Sequence, residues 1–274
     1  MDMNFFQAAF LGIVQGLTEF LPISSSGHLV LMQNLLGFTE PEIFFDVCLH
    51  VGTLIAVCVF LRRDILEILR VFFIALKSPG LKNLKTMYNE EPAFRLLILT
   101  IAGTVITVVI VLPFKDLVES MFTSVTMVAA ALVATGFVLW CTRWARKQDA
   151  GIRQAGLGRA AAVGAAQALA VTPGLSRSGL TIACALYLGL ERELAVRLSF
   201  LLSIPAILGA VVLQFDISGL SSNSWPIVVG MFFAAVSGFA ALKMIALLVK
   251  HGRLWVFAPY LWAVGLTILL IKVF

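Results

Sequence analysis

Apolar residues run along this chain in stretches of about twenty, the length at which a helix crosses a ~30 Å hydrocarbon layer. Six stretches carry the pattern without a break: about Ile43 to Leu61, Ala93 to Leu112, Val125 to Trp144, Leu194 to Leu213, Trp225 to Val249 and Trp255 to Val273. Trp144, Trp225 and Trp255 stand at the ends of these stretches, where amphipathic rings anchor a span at the membrane surface. The segment from Asp64 to Glu91 is too charged to cross. Its Ile65, Leu66, Ile68, Leu69, Phe72 and Phe73, set beside Arg62, Arg63, Glu67 and Arg70, predict an amphipathic helix lying along the interface.

Two further apolar stretches are interrupted. Residues 3–37 contain Pro22, Ser24, Ser25, Ser26, Gly27 and His28, and residues 159–190 contain Pro173, Gly174, Ser176, Arg177, Ser178, Gly179 and Thr181. Broken backbone survives at membrane depth only when buried in protein or lining a wet cavity, so each stretch predicts a re-entrant helix–turn–helix hairpin. One register aligns the two: Gly12 with Gly164, Gln15 with Gln167, Leu17 with Leu169, Ser24 with Ser176, Ser26 with Ser178, Gly27 with Gly179 and Gly37 with Gly189. That match predicts an internal duplication. Three spans lie between the hairpins, and an odd number of crossings puts them on opposite faces. The expected fold is an all-α polytopic membrane protein, a single membrane domain over 1–274. Six spanning helices and two re-entrant helical hairpins form inverted-topology repeats, about 1–145 and 146–274.

Composition agrees with this pattern. Of 274 residues 60% are hydrophobic and 13% charged, with mean hydropathy +1.00, against roughly 25% charged in soluble proteins. A soluble nucleic-acid binder and a disulfide scaffold are excluded. The net charge of +5 is a matter of topology and anionic-lipid contact. All but three of the 20 basic residues (Lys115, Arg177 and Lys272) fall on the side of the 62–92 and 143–159 loops. The positive-inside rule makes that side cytoplasmic and turns both termini outward. Cys48, Cys58, Cys141 and Cys184 form no CxxC pair and read as packing or lipid-facing residues. Asp2 and the lack of a basic residue before the first apolar stretch argue against a cleaved signal.

The chemistry-bearing residues sit in the two breaks. Gln15 and Glu19 are four apart and share a helical face. A carboxylate near the bilayer centre costs roughly 2.5–3.5 kcal/mol on insertion scales, which marks Glu19 as functional. Ser24, Ser25, Ser26 and His28 follow it. The second break supplies Arg177, whose five-donor fork suits phosphate, with Gly174, Ser176, Ser178, Gly179 and Thr181 around it and a helix N-terminus beyond. Together they predict an anionic site: a cation holder in Glu19 and Gln15, hydroxyls, an imidazole and a guanidinium. Asp46 and His50, also four apart, follow the first hairpin and could line the same cavity, as a second layer or as another metal or proton carrier; Asp46 fits plain packing or a helix start equally well.

The stretch from Gln15 to His28, QGLTEFLPISSSGH, and that from Pro173 to Thr181, PGLSRSGLT, resemble the two signatures of the undecaprenyl-diphosphate phosphatase family, which is linked to bacitracin resistance. The resemblance runs from end to end. It implies an integral membrane hydrolase that converts undecaprenyl diphosphate to undecaprenyl phosphate and inorganic phosphate, recycling the lipid carrier for cell-wall synthesis. It also implies the bacterial cytoplasmic membrane, an active site open to the outer side, and a divalent metal, Mg²⁺ or Ca²⁺. By position, Glu19 matches a metal or catalytic carboxylate and Ser25 a nucleophilic or substrate-contacting serine. His28 matches a nucleophile or proton carrier and Arg177 the phosphate-binding arginine. Ser24, Ser26, Gly174, Ser176, Ser178 and Thr181 are expected around the substrate, with Gln15 and Asp46 as further metal candidates. Gln15 stands where many members have glutamate, one anionic ligand fewer. The attacking group is left open between Ser25, His28 and water. The expected partners are the polyprenyl diphosphate and membrane lipids, with no nucleic acid and room for a homodimer. The competing function is a transporter or flippase of a phosphorylated lipid.

Overall fold

The computed structural model describes residues 3–38, 43–77, 80–114, 117, 121, 124–145, 149–214 and 225–273. Lys115, Arg146 and Lys147, counted among the basic residues, lie outside them, as do Asp2 and the side chain of Lys272. The described chain is all-helical, with twelve α-helices. The first hairpin is α1 (Phe5–Phe20) and α2 (Ser25–Leu35), followed by α3 (Ile43–Phe60), α4 (Arg62–Lys77), α5 (Leu81–Glu90), α6 (Pro92–Val111) and α7 (Val125–Cys141). The second hairpin is α8 (Leu157–Leu169) and α9 (Arg177–Tyr187), followed by α10 (Arg192–Gln214), α11 (Trp225–Lys250) and α12 (Ala258–Val273). Among the described residues five segments are long and apolar enough to cross a membrane: Pro92–Phe114, Val125–Trp144, Arg192–Val212, Trp225–Lys250 and Leu254–Ile271. The stretch expected as a plain span at 43–61 is the 18-residue α3, short for a crossing. It turns by 78° straight into α4, and the bent pair makes the sixth candidate. α4 is the amphipathic helix expected there, with Val71 buried and Leu66, Phe73 and Leu76 outward.

The first break is shorter than its polar residues suggest. It spans 21–24, and Ser25 already opens α2, so most of that polar run is the first turn of a helix; the second break runs over 170–176 before Arg177 opens α9. Ser176 explains the second start: its Oγ accepts the Gly179 N–H at 3.2 Å, capping α9,. Ser24 explains the first, with φ of 70° reversing the chain. The ends of the second hairpin are tied together: Ala150 N–H donates to Gly189 O and Glu191 N–H to Ala150 O, both at 3.0 Å.

Each hairpin packs on a helix far away in sequence, α1 along α11 and α8 along α6. Small residues make both approaches possible, as is usual between membrane helices. A Cβ on Gly12 would stand 2.4 Å from the Gly230 carbonyl oxygen, and one on Gly164 2.3 Å from that of Gly103. A hydroxyl crosses each contact: Ser237 Oγ is 3.5 Å from Gly12 O, Thr107 Oγ1 2.9 Å from Gly164 O. Because backbone is what an added methyl would meet, Gly164→Ala is expected to cost on the order of 1–3 kcal/mol. Gly158→Ala, on the same helix with open space around it, is expected to be neutral or mildly stabilising. Unfolding midpoints in detergent compare the two.

Basic residues collect at one end of the bundle. Arg197 pairs with Asp64 at the start of α4, Arg192 donates to the Lys250 carbonyl, and Arg95 donates to the Ala155 carbonyl. Arg143 lies between the faces of Trp140 and Trp255, 4.4 and 4.6 Å from their centroids. Trp255 thus clamps an arginine, whereas Trp144 and Trp225 are exposed at span ends.

Candidate active site

The end of α1, the start of α2, the start of α9 and the middle of α10 enclose a cavity of about 220 Å³. Glu19, Ser24, Ser25 and Ser26 line it from the first hairpin, Ser176 and Arg177 from the second. Two helix N-termini therefore open into one space, each presenting backbone N–H groups with no partner inside the helix.

Glu19 is the centre of the site. Its carboxylate is 6% exposed and is surrounded by donors. Arg177 Nη2 pairs with Oε1, Ser25 Oγ donates to Oε2 at 2.6 Å, and Gln15 Nε2 donates to Oε2 at 3.1 Å. A buried carboxylate is tolerated when both a countercharge and hydrogen bonds meet it, and here both do. The Ser25 contact joins a hydroxyl to a base at the distance that general-base activation needs.

Of the two histidines, only His50 stands where the sequence allowed it, on the cavity wall. His28 is absent from the cavity wall. A carbonyl oxygen only accepts, so His28 Nδ1 donates to Ser24 O at 2.8 Å, and its Nε2 meets Tyr260 Oη at 2.6 Å. Its ring thereby secures the left-handed turn at Ser24 and ties it to α12. His50 lines the cavity instead. Its Nδ1 donates to the Asp46 carbonyl at 2.7 Å, and its Nε2 faces Glu19 Oε2 at 3.8 Å.

Several other expected residues stand behind the wall. Gly174, at φ 89°, would drive a Cβ to 2.3 Å from the Val128 carbonyl oxygen; it lets the turn press on α7. Ser178 contacts Ser176 Oγ at 3.3 Å, and Thr181 Oγ1 meets Ser199 Oγ at 2.6 Å on α10. The Asp46 carboxylate accepts the Gln33 amide at 2.7 Å, holding α2 against α3. Gln15 is fully buried and reaches the site only through its amide nitrogen. The sequence reading did not single out Thr18, Thr107 or Gln167, which also line the cavity. Gln167 donates to Leu202 O and Thr107 Oγ1, both at 3.3 Å, and its Oε1 is buried without a partner among the described residues. Its alignment with Gln15 in the register shared by the two interrupted stretches was the signal that could have found it.

A left-handed backbone is awkward for serine and easy for glycine. Ser24→Gly is therefore expected to leave thermal stability equal or raised. Any fall in turnover in that variant measures the Ser24 hydroxyl, which lies 3.5 Å from Ser26 Oγ at the cavity.

The family model of the bacitracin resistance protein BacA matches residues 8–267. Curated relatives cover nearly the whole chain. The undecaprenyl-diphosphatase of Desulfatibacillum aliphaticivorans is 43% identical over 273 residues, covering 97% of this chain and 98% of its own. That of Carboxydothermus hydrogenoformans is 41% identical over 277 residues, 98% of each. That of Korarchaeum cryptofilum is 40% identical over 269 residues, 97% of this chain and 99% of its own.

Proposed function

We infer the chemistry of the cavity from the premise that the chain belongs to the BacA family and is an undecaprenyl-diphosphatase, a multi-pass membrane enzyme. The terminal phosphate of the lipid diphosphate is cut between the two hairpins. One observation carries this reading: a serine hydroxyl 2.6 Å from a buried carboxylate whose other oxygen is held by an arginine, all on one cavity wall. At about 220 Å³ the space is smaller than the ~300–1,000 Å³ of pockets that enclose whole small molecules. It takes the head group, while the isoprenoid tail stays among the helices in lipid.

In the proposed reaction the entering phosphate takes over Arg177, whose fork exchanges Glu19 Oε1 for phosphoryl oxygens. The N–H groups at the starts of α2 and α9 face the charge that builds on those oxygens. Ser25 Oγ attacks the terminal phosphorus and gives its proton to Glu19 Oε2. The bond to the bridging oxygen breaks, and undecaprenyl phosphate leaves. Water then attacks the phosphoserine, with Glu19 passing protons between water and Ser25. His28 acts at one remove by holding the Ser24 turn from which Ser25 projects.

The residues present do not fit a resident divalent cation. Among the described residues Glu19 is the only carboxylate that lines the cavity, and it is already paired with a guanidinium. Among the described residues no three His, Cys, Asp or Glu side chains converge as a metal set. No step above passes through a metal.

The inverted-repeat architecture is part of the same proposal. It is supported by the reciprocal packing of α1 on α11 and α8 on α6, and by the tied base of the second hairpin, which makes that hairpin enter and leave at one end. With the basic end placed in the cytoplasm, both termini face outward and the first hairpin opens to the outer side of the cell membrane.

Phosphate release from undecaprenyl diphosphate by purified protein in detergent tests the function. With no gradient to dissipate, a hydrolase liberates phosphate, and a carrier that only flips lipid liberates none. In the same assay His50→Phe is expected to lower kcat about tenfold or more, because it removes a polar atom from the cavity wall. His28→Phe is expected to act mainly by lowering stability.

A further inference from the structure

The site's charge balance bears on how a divalent cation meets this enzyme. Glu19 is surrounded on both oxygens: Gln15 Nε2 and Ser25 Oγ donate to Oε2, and Arg177 covers Oε1. An ion bound to that carboxylate would sit a few ångströms from the guanidinium charge. Repulsion at that distance, in a partly buried site, lowers affinity by about a thousandfold or more. The neighbouring groups do not compensate. Gln15 turns its N–H toward Glu19, and its carbonyl oxygen is buried away from the cavity. Asp46 is spent on Gln33. His50 offers one nitrogen, and the remaining polar wall is hydroxyl and amide. Mg²⁺ keeps most of its water and binds where one or two carboxylates combine with substrate phosphates. Here the protein supplies at most one such ligand, and only after Arg177 has moved off it.

We propose that this protein has no metal site of its own and that a divalent cation enters only as a chelate on the diphosphate of the lipid. The inference rests on the phosphatase reading above and deepens it. The entering diphosphate brings both the negative charge and the oxygen ligands that the cavity wall, as described, lacks. By drawing Arg177 onto the phosphate it also frees Glu19 Oε1 to face the ion. The order of events follows: lipid and cation arrive together, and chelators act by stripping the substrate. Gln15 is the residue that sets this order, because it presents an amide donor where a second carboxylate would make a resident pair.

Mn²⁺ serves as the probe, with the free ion read by electron paramagnetic resonance at room temperature. Three samples are compared in one detergent: the protein alone, a polyprenyl methylenediphosphonate alone, and the two together. The uncleavable bridge keeps the head group intact. The protein alone is expected to leave the free-ion signal unchanged to about 1 mM Mn²⁺. Protein with the diphosphonate is expected to hold about one Mn²⁺ per chain at least tenfold more tightly than the diphosphonate alone, and Arg177→Ala to lose that gain. Gln15→Glu, checked for folding by its melting curve, is expected to bind Mn²⁺ without lipid at least tenfold more tightly than wild type. The proposal is overturned if the wild-type protein alone takes up one Mn²⁺ per chain and Glu19→Gln abolishes it. It is equally overturned if the diphosphonate gains nothing from the protein, or if folded Gln15→Glu gains nothing over wild type. Phosphate release by the same wild-type preparation keeps the two readings apart. Turnover with a resident ion sinks only the metal inference, whereas failure to turn over sinks the phosphatase reading itself.

Discussion

Ser25→Ala is expected to cut phosphate release at least about a thousandfold, the scale on which a missing nucleophile is felt, with little change in lipid affinity. The expectation follows from how little else the hydroxyl does. Ser25 opens α2, where alanine continues a helix without strain. Among the described residues its Oγ hydrogen-bonds to Glu19 alone, and that carboxylate keeps Arg177 and Gln15. Losing one hydrogen bond to a charged group costs about 1.5–3 kcal/mol, which leaves a folded protein able to bind. Rapid quench with lipid labelled in its terminal phosphate gives a second readout: label on wild-type protein and none on Ser25→Ala. Were the variant to keep a tenth of wild-type turnover, attack by water with Glu19 as base would replace the serine route.

How far the chain announces this site depends on which residues are considered. Glu19 and Arg177 were legible because a charge inside an apolar stretch has few ways to be stable, and each of the two breaks held one of opposite sign. The hairpins were legible for a similar reason, since proline and glycine amid serines cannot continue a buried helix. The extent of the breaks was not. A serine run reads as loop, yet Ser176 caps a helix and Ser25 begins one, because capping is decided by backbone geometry. The histidines show the other limit. His28 follows three serines and draws attention through its neighbours. His50 lies on an apolar helix whose face toward Glu19 is set only when α3 packs beside the first hairpin. Thr107 and Gln167 reach the cavity through the contact of α6 with α8, a long-range pairing that local spacing does not encode.

The Glu19–Arg177 pair separates folding from catalysis. Arg177→Gln is expected to abolish turnover and also to destabilise the protein by about 3–5 kcal/mol, because it leaves a buried carboxylate without its countercharge. Glu19→Gln is expected to be inactive as well, since Ser25 loses its base, and to be destabilised in turn by an unpaired guanidinium. The double variant Glu19→Gln, Arg177→Gln replaces two opposed charges by two amides that can hydrogen-bond to one another. Swapping a buried ion pair for a matched neutral one is often close to neutral in stability. The double variant should therefore melt in detergent well above either single variant and near wild type, while releasing no phosphate. That pattern assigns the pair two separable tasks: the opposed charges are needed for chemistry on an anionic substrate, and their mutual satisfaction is needed for the hairpins to meet. If the double variant melts no higher than Arg177→Gln, the two residues are energetically uncoupled. Their contact would then be incidental to the fold, and the site would have to be rebuilt around Ser25, His50 and the helix starts alone.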